Sequence, residues 1–145
     1  MTRLATLLLV VCAGCDFLTG GSELDKLRSN RDRWDALRIA DYDFDYRLSC
    51  FCATEATQPV RIEVRGGVMA SVINLSTGDP VPPQSFVTWP TIDSLFVWTE
   101  RNLAHGYTLE ITYDASHRFP AHVDGDIPRV VDDEFVRTAT NFVRR

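Results

Sequence analysis

The clearest pattern in the chain is a run in which apolar and polar residues alternate one for one. The apolar positions are Tyr42, Phe44, Tyr46 and Leu48, and the polar positions between them are Asp43, Asp45, Arg47 and Ser49. Because successive side chains of a strand point to opposite faces, this period of two predicts a β-strand with one buried and one solvated face. If the alternation continues, Cys50 and Cys52 fall on the apolar face.

Two helices are predicted from apolar residues at helical spacing. The first begins after Ser22 as N-cap and extends to Ile39, with charged residues between its apolar positions. The second begins after Thr91 as N-cap and stops at Gly106, a natural C-terminal signal. Its apolar stripe consists of Ile92, Leu95, Phe96 and Leu103.

Five further segments are predicted to be strands. Residues 60–65 and 68–73 form a hairpin at Gly66-Gly67, a pair that supplies the positive φ of a tight turn. Residues 107–113 and 119–123 flank a polar turn. Residues 134–143 fit a strand or a helix by pattern, and their β-branched content favours a strand.

The element order α-β-β-β-α-β-β-β predicts an α+β fold, with an antiparallel β-sheet and two helices packed on one face. Residues 74–90 contain Pro80, Pro82, Pro83 and Pro90, and are predicted to be a long surface loop without regular structure. With 45% hydrophobic residues, the chain has enough apolar material for one core, which predicts a single domain over residues 23–145.

The N-terminal sequence predicts where the protein is located in the cell. Residues 1–14 resemble a bacterial lipoprotein signal peptide, with a positive charge at Arg3, an apolar run over residues 4–11 and small residues before Cys15. The apolar run is too short to be a membrane-spanning helix, which needs about 20 residues. Cys15 is the predicted lipidation site, and its acyl chains would anchor the protein in a membrane of the cell envelope, facing the periplasm or exterior. Residues 15–22 are predicted to form a flexible tether. The alternatives are an ordinary cleaved secretory signal and a frayed helix.

The net negative charge of the chain argues against two classes of binding partner. The chain has 15 basic and 20 acidic residues, a net charge of -5, which becomes -6 when Arg3 leaves with the signal peptide. Because phosphate neutralisation by Lys and Arg supplies most nucleic-acid affinity, no nucleic-acid partner is predicted. Binding to anionic lipid through a basic patch is not expected either.

Several short motifs occur in a characteristic order. They are Tyr42-x-Phe44-x-Tyr46 leading to Cys50-x-Cys52, Thr91-Ile92-x-x-Leu95-Phe96, Tyr113-Asp114 followed by Phe119-Pro120, Asp124-x-Asp126, and Asp132-Asp133-Glu134. Together they resemble the bacterial family known as domain of unknown function 6174, over nearly all of the mature chain. The resemblance implies a small secreted protein or lipoprotein, and implies no activity. One departure is Arg118, where the family pattern has glycine, the residue that adopts positive φ without cost.

Cys50 and Cys52 are the thiols that remain if Cys12 is cleaved off and Cys15 is lipidated. In an oxidising compartment two nearby cysteines tend to pair, but residues two apart on a regular strand are too distant for a disulfide. A disulfide therefore requires a bend at Phe51. Two buried free thiols are the second interpretation. The third is a metal site completed by His105, His117 or His122, although zinc sites need four ligands and no cofactor is predicted.

Three other clusters are weaker candidates. His117 and His122 suggest an acid-base or cation site with the nearby Asp114, Asp124 and Asp126, but polar turns are naturally rich in such residues. Asp132-Asp133-Glu134 offers hard oxygen ligands for calcium without the spacing of a known calcium loop. The Trp89 ring in the proline-rich loop, together with Pro82 and Pro83, is the candidate partner surface.

No Ser-His-Asp order, nucleotide-binding glycine loop or zinc-protease helix appears in the sequence. The sequence therefore favours a lipid-anchored, non-catalytic envelope domain that binds another protein or an envelope component. Two alternatives stay open. One is a redox-sensitive or metal-binding module centred on Cys50 and Cys52, and the other is a hydrolase that uses Asp and His residues of 114–126.

Overall fold

The computed structural model describes residues 22–126 and 134–145. The helices are α1 (Glu23–Ala36), α2 (Thr54–Thr57) and α3 (Ile92–Ala104), and a 3₁₀ helix covers Pro83–Thr88. The strands are β1 (Tyr42–Cys50), β2 (Val60–Arg65), β3 (Val68–Asn74), β4 (Thr108–Tyr113), β5 (Pro120–Asp126) and β6 (Phe135–Arg144). The predicted signal peptide with Cys12 and Cys15, most of the predicted tether, and the Asp132-Asp133 pair lie outside the described residues.

The strands form one six-stranded antiparallel sheet in the order β3-β2-β1-β6-β5-β4. The predicted α+β class, with its six strands and two long helices in the predicted order, is confirmed. The short α2 and the 3₁₀ helix are additions to it. In the centre of the sheet β1 pairs with β6, and Cys50 stands opposite Phe135 at one end of this pair.

Both long helices begin where their capping residues predict. The Ser22 side chain accepts a hydrogen bond from the Asp25 backbone N–H, and the Asp25 side chain accepts one from Ser22 in return. Thr91 caps α3 by accepting from the Ser94 backbone N–H. α1 ends at Ala36, earlier than predicted. The chain then turns sharply at Arg38, whose φ of 49° is incompatible with a continuing helix.

The core lies between the two long helices and one face of the sheet. The apolar side of the β1 alternation is buried, as the period of two predicts. Leu27 and Trp34 of α1 and Leu95 of α3 pack against it. The Trp34 and Tyr42 rings meet edge to face, with centroids 5.6 Å apart. The Ile92 backbone N–H at the start of α3 donates to the Tyr42 hydroxyl over 3.1 Å, which ties the helix to β1.

The proline-rich segment is more ordered than predicted. Pro82 and Pro83 lie at the start of the 3₁₀ helix, where a missing N–H costs no hydrogen bond. The prediction that prolines exclude regular structure throughout residues 74–90 was therefore wrong for 83–88. Trp89 follows this helix and is only 8% exposed, because its ring packs into the core.

The other face of β1 carries an ionic network. Asp43 is 2% exposed, and its carboxylate accepts hydrogen bonds from Arg65 and Arg145. Burial acts to raise the pKa of Asp43, but the two guanidinium groups outweigh it and hold the pKa below its usual value. Burial also acts to raise the pKa of Asp45, but hydrogen bonds from Arg61 and Asn141 outweigh it and lower the pKa.

None of the helices within 22–126 and 134–145 is both long and apolar enough to cross a membrane.

Candidate functional site

The chain bends directly after β1, where the cysteine pair lies. Residues 51 and 52 form the bend before α2, and the Cα atoms of Cys50 and Cys52 are 5.3 Å apart. This Cα separation falls within the range of disulfides, about 4.4–6.8 Å, and the two sulfur atoms are in close contact. The expected bend at Phe51 is therefore present, and the contact supports a disulfide, which stays a prediction. Cys52 does not share the apolar face of the strand; it is exposed beyond the strand end.

The bend turns the side chain between the two cysteines into solvent. Phe51 is 96% exposed, whereas Cys50 is half-buried. Phe51 lies at the rim of a cleft of about 270 Å³ between the bend and α3. We call this the Arg137 cleft; its lining includes Cys50, Phe51, Trp98, Asn102, Tyr107 and Arg137. A second depression of about 400 Å³ lies beside Ser49 and Val136 and shares Phe51 with the first.

Arg137 provides the positive charge of the cleft. Its Cζ atom lies 3.9 Å from the centroid of the Trp98 ring, a cation–π contact. Its Nη1 donates a 2.6 Å hydrogen bond to the Tyr46 hydroxyl. Burial raises the pKa of Tyr46 and the nearby Arg137 acts to lower it. The net shift is upward, so the phenol stays protonated and accepts this bond.

The guanidinium of Arg137 lacks a counterion within the described part of the chain. It forms no ion pair with any described carboxylate, and its Nε is buried without a hydrogen-bond partner there. By contrast, Arg61 and Arg65 each meet an aspartate on the opposite face of the sheet. Because an unpaired charge near the interior is costly, Arg137 is the described group in this cleft that would gain most from an anionic ligand.

Helix α3 and the sheet hold the aromatic wall of the cleft in place. Trp98 and Asn102 are four residues apart on α3, and the Asn102 amide donates to the Trp98 carbonyl over 2.7 Å. Phe135 meets the Trp98 ring edge to face at 5.2 Å. Gly125 lies opposite Phe135 on β5, where a Cβ atom would overlap the Phe135 ring. The missing side chain of Gly125 therefore lets Phe135 support Trp98.

Arg137 was not among the candidates from the sequence, although a signal was present. It lies on the same side of the β6 alternation as the apolar residues Phe135 and Ala139, both of which are buried. An arginine at a core-facing strand position departs from the pattern of its neighbours. Such a departure is expected at functional sites.

The predicted His-Asp cluster divides into two separate places. Asp114 Oδ1 accepts from the Ser116 and His117 backbone N–H groups and lies 2.9 Å from His117 Nδ1. Burial acts to raise the pKa of Asp114, but these hydrogen bonds outweigh it and lower the pKa. The carboxylate therefore closes the turn between β4 and β5, and the His117 ring packs against Phe142. This geometry accounts for both residues without a catalytic role.

The register of the sheet separates His117 from the cysteines. Phe135 pairs with both Cys50 and Gly125, so the 114–119 turn lies at the opposite end of the sheet from Cys50. His122 stands in the β5 register between Thr112 and Thr138, away from the bend. Within the described residues, no group of three or more His, Cys, Asp or Glu side chains is placed to hold a metal ion.

The candidate partner surface is changed by the burial of Trp89. Its ring belongs to the core and is therefore not available to a partner. Pro82 and Pro83 are exposed, and Val87 beside them is 93% exposed. A contact at the two prolines stays a prediction.

The fold and the cleft define a small α+β domain with a six-stranded antiparallel sheet and an arginine-bearing cleft at one end of its central strands. Residues 26–144 match the Family of unknown function (DUF6174), and the chain belongs to this family. The resemblance stated from the sequence motifs is confirmed. No curated protein and no solved structure matches the chain.

Proposed function

We propose that this chain is a lipid-anchored protein of the bacterial cell envelope whose domain is a non-catalytic binding domain. The observation that carries the binding role is the exposed Phe51 at the rim of the Arg137 cleft. The anchor rests on the lipoprotein-type sequence before Cys15.

An exposed phenylalanine beside a cleft is a suitable anchor for a partner. Burying such a side chain contributes about 1.5–3 kcal/mol, and Phe51 gains almost none of this within its own domain because it is 96% exposed. Aromatic residues and arginine are enriched at the energetic centres of interfaces. Phe51 and Arg137 both line this one cleft.

The cysteine contact adds preorganisation. Cys50 is held at the end of a central strand, and a disulfide with the nearby Cys52 would restrict the backbone of Phe51 between them. A side chain already restrained in its binding position loses less conformational entropy when a partner binds. The bend therefore supports the proposed binding role more directly than the exposed prolines do.

Photo-crosslinking tests the binding role. A benzophenone amino acid replaces Phe51 in the full chain in its native membrane, and the control carries it at Val87, an apolar position of similar exposure. We expect a reproducible light-dependent adduct from position 51 that is absent at position 87 and is weakened by Arg137→Gln. If positions 51 and 87 give the same adducts, or neither gives any, the proposed binding surface is wrong.

Metabolic labelling tests the anchor. We expect the full chain to incorporate radioactive palmitate, and Cys15→Ser to abolish the label, while the matched variant Cys12→Ser retains it. Label that persists in Cys15→Ser would contradict the anchor at this cysteine. A wild-type chain that is secreted without label would support an ordinary cleaved signal.

The cysteine contact also favours a second candidate, a redox-sensitive module. Cys52 is exposed and its sulfur is in close contact with that of Cys50. In such a module a partner dithiol would transfer two electrons and two protons to the disulfide, leaving two thiols here and a disulfide in the partner.

Thiol counting on the detergent-purified full chain separates these alternatives. We expect Cys50 and Cys52 to react with an alkylating reagent only after a reductant is added. Immediate reaction of both would contradict the disulfide, and a co-purifying metal would favour the metal alternative. If the disulfide forms, a reduction potential below about -300 mV indicates a structural bond, and a higher potential indicates the redox module.

A further inference from the structure

We infer that the Arg137 cleft binds the carboxylate of a ligand whose neighbouring aromatic or large apolar group packs against Phe51. This inference rests on the proposed binding function and names the ligand class. The cation, its orientation and its surroundings each contribute to it.

Arg137 has hydrogen-bonding capacity that the described residues do not use. A guanidinium has five N–H donors, and the described residues accept only the Nη1 bond to Tyr46. The Nε is buried without a described partner and is closed to a ligand, so an anion would contact the terminal Nη atoms. A carboxylate matches the planar donor fork of arginine and binds it through two parallel hydrogen bonds.

Two contacts orient the guanidinium of Arg137. The Arg137 Cζ lies over the Trp98 ring, and this contact uses none of the N–H donors, which form hydrogen bonds in the plane of the guanidinium. The Tyr46 bond fixes the rotation of that plane. The contacts that hold Arg137 therefore leave the edge of the guanidinium for an anion and restrict its motion before the ligand arrives.

The charge of the cleft lining favours a carboxylate over a more highly charged anion. Glu134 also lines the Arg137 cleft and adds a negative charge to it. Its repulsion grows with the charge of the ligand, so a single negative charge is favoured over a phosphate dianion. The exposed Phe51 ring then provides an apolar contact for the group next to the carboxylate.

Isothermal titration calorimetry on the full chain in detergent tests the inference with N-acetylphenylalanine. The neutral probe is its carboxamide, which keeps the ring and removes the charge. We expect the acid to bind at least about tenfold more tightly than the amide, the effect of one charge-assisted pair. Equal affinity for the two would overturn the inference, and this comparison needs no variant.

Variants of the chain locate the binding site. Arg137→Gln should weaken binding of the acid by about tenfold or more, and Phe51→Ala should weaken the acid and amide alike. The matched control is Arg47→Gln, an exposed arginine on the opposite face of β1, which should leave the affinity unchanged. An Arg137→Gln chain that binds the acid normally would overturn the inference.

Further probes distinguish the two possible sources of the carboxylate, a protein C-terminus and a small aromatic acid, and test phosphate as a competing ligand. A Gly-Gly-Gly-Phe peptide that binds more tightly than N-acetylphenylalanine supports a protein C-terminus as the ligand, and the reverse order supports a small aromatic acid. Inorganic phosphate that binds as tightly as either would overturn the choice of carboxylate. If no carboxylate probe binds while crosslinking from position 51 succeeds, this inference fails and the proposed binding function stands.

Discussion

The guanidinium of Arg137 lies over the indole ring of Trp98, with 3.9 Å between Cζ and the ring centroid. This contact joins the strand β6 to the helix α3 without an ion pair between described residues. The cation is thus held by a ring and a phenol, both of which leave its charge uncompensated. Removing such a residue should cost less stability than removing an arginine that forms a salt bridge.

Arg137→Met should have little effect on stability. The variant loses a cation–π contact worth about 0.5–2 kcal/mol and the bond to Tyr46, but it also removes an unpaired cation from a partly desolvated position. We expect the free energy of unfolding to fall by no more than about 1 kcal/mol in urea denaturation. Arg61→Met is the control, because it leaves the Asp45 carboxylate without its arginine and should cost more. If Arg137→Met costs more than its control, Arg137 is a structural residue.

Tyr42→Phe should destabilise the domain by about 1–2 kcal/mol, because it leaves the Ile92 backbone N–H without its buried partner. Burial raises the pKa of Tyr42, so the protonated hydroxyl is the acceptor in the native state. Thermal unfolding followed by circular dichroism measures the change.

Tyr113→Phe is the matched control for that variant. The Tyr113 hydroxyl is also buried, but no described residue forms a hydrogen bond with it. Its removal should therefore leave the stability unchanged or raise it slightly. Equal losses from the two variants would show that the bond to Ile92 contributes nothing specific.

Arg118→Gly should stabilise the domain. The backbone of Arg118 has a φ of 69°, a conformation that costs an L-residue about 1–2 kcal/mol. Glycine relieves this cost but loses more chain entropy on folding, so we expect a net gain of about 0.5–1 kcal/mol. Arg118→Ala keeps the unfavourable φ and should show no gain. If alanine stabilises as much as glycine, the effect comes from the lost arginine side chain.

Asp43→Asn should lower the stability at neutral pH and flatten its dependence on acid. Burial opposes ionisation, but Arg65 and Arg145 lower the pKa of Asp43 in the folded state. The stabilisation is therefore present above the unfolded pKa of about 3.9 and is lost as the pH falls through the folded pKa. We expect a loss of about 1–2 kcal/mol at pH 7, because both arginines are partly exposed.

Urea denaturation between pH 6 and pH 3 measures this effect of Asp43. Asp32→Asn, at an exposed carboxylate of α1, is the control and should leave the acid profile close to that of the parent chain. Asp45 and Asp114 also have lowered pKa values, so some acid sensitivity should persist in Asp43→Asn. A variant profile that follows the parent at every pH would contradict the role of Asp43.

Gly125→Ala should destabilise the domain by about 1–3 kcal/mol, since the new methyl group overlaps the Phe135 ring and Leu109. Urea denaturation measures the loss. Phe135→Leu should make part of this loss disappear in the double variant, because the smaller side chain leaves room for the methyl group. Strict additivity of the two changes would show that the overlap with Phe135 is not the cause.

Local features of the fold could be predicted from the sequence because their causes are local. The β1 strand follows from the alternation that begins at Tyr42, and the helix starts follow from the side-chain caps Ser22 and Thr91. The stop of α3 before Gly106 follows from the positive φ that glycine accepts. In each case the deciding feature involves residues that are close together in the sequence.

The tertiary structure decided which residues that are distant in sequence lie close together in space. Trp98 and Arg137 meet because β6 pairs with β1 and α3 packs across that pair, and strand order is not encoded in any local pattern. Trp89 is buried for the same reason, although its proline-rich neighbourhood is typical of a surface loop. The sequence alone therefore determined the two long helices, the strands of the sheet and the family resemblance, but not α2 or the 3₁₀ helix. Packing between elements decided that an arginine, an exposed phenylalanine and a cysteine pair line one cleft, because such contacts depend on long-range burial of apolar surface.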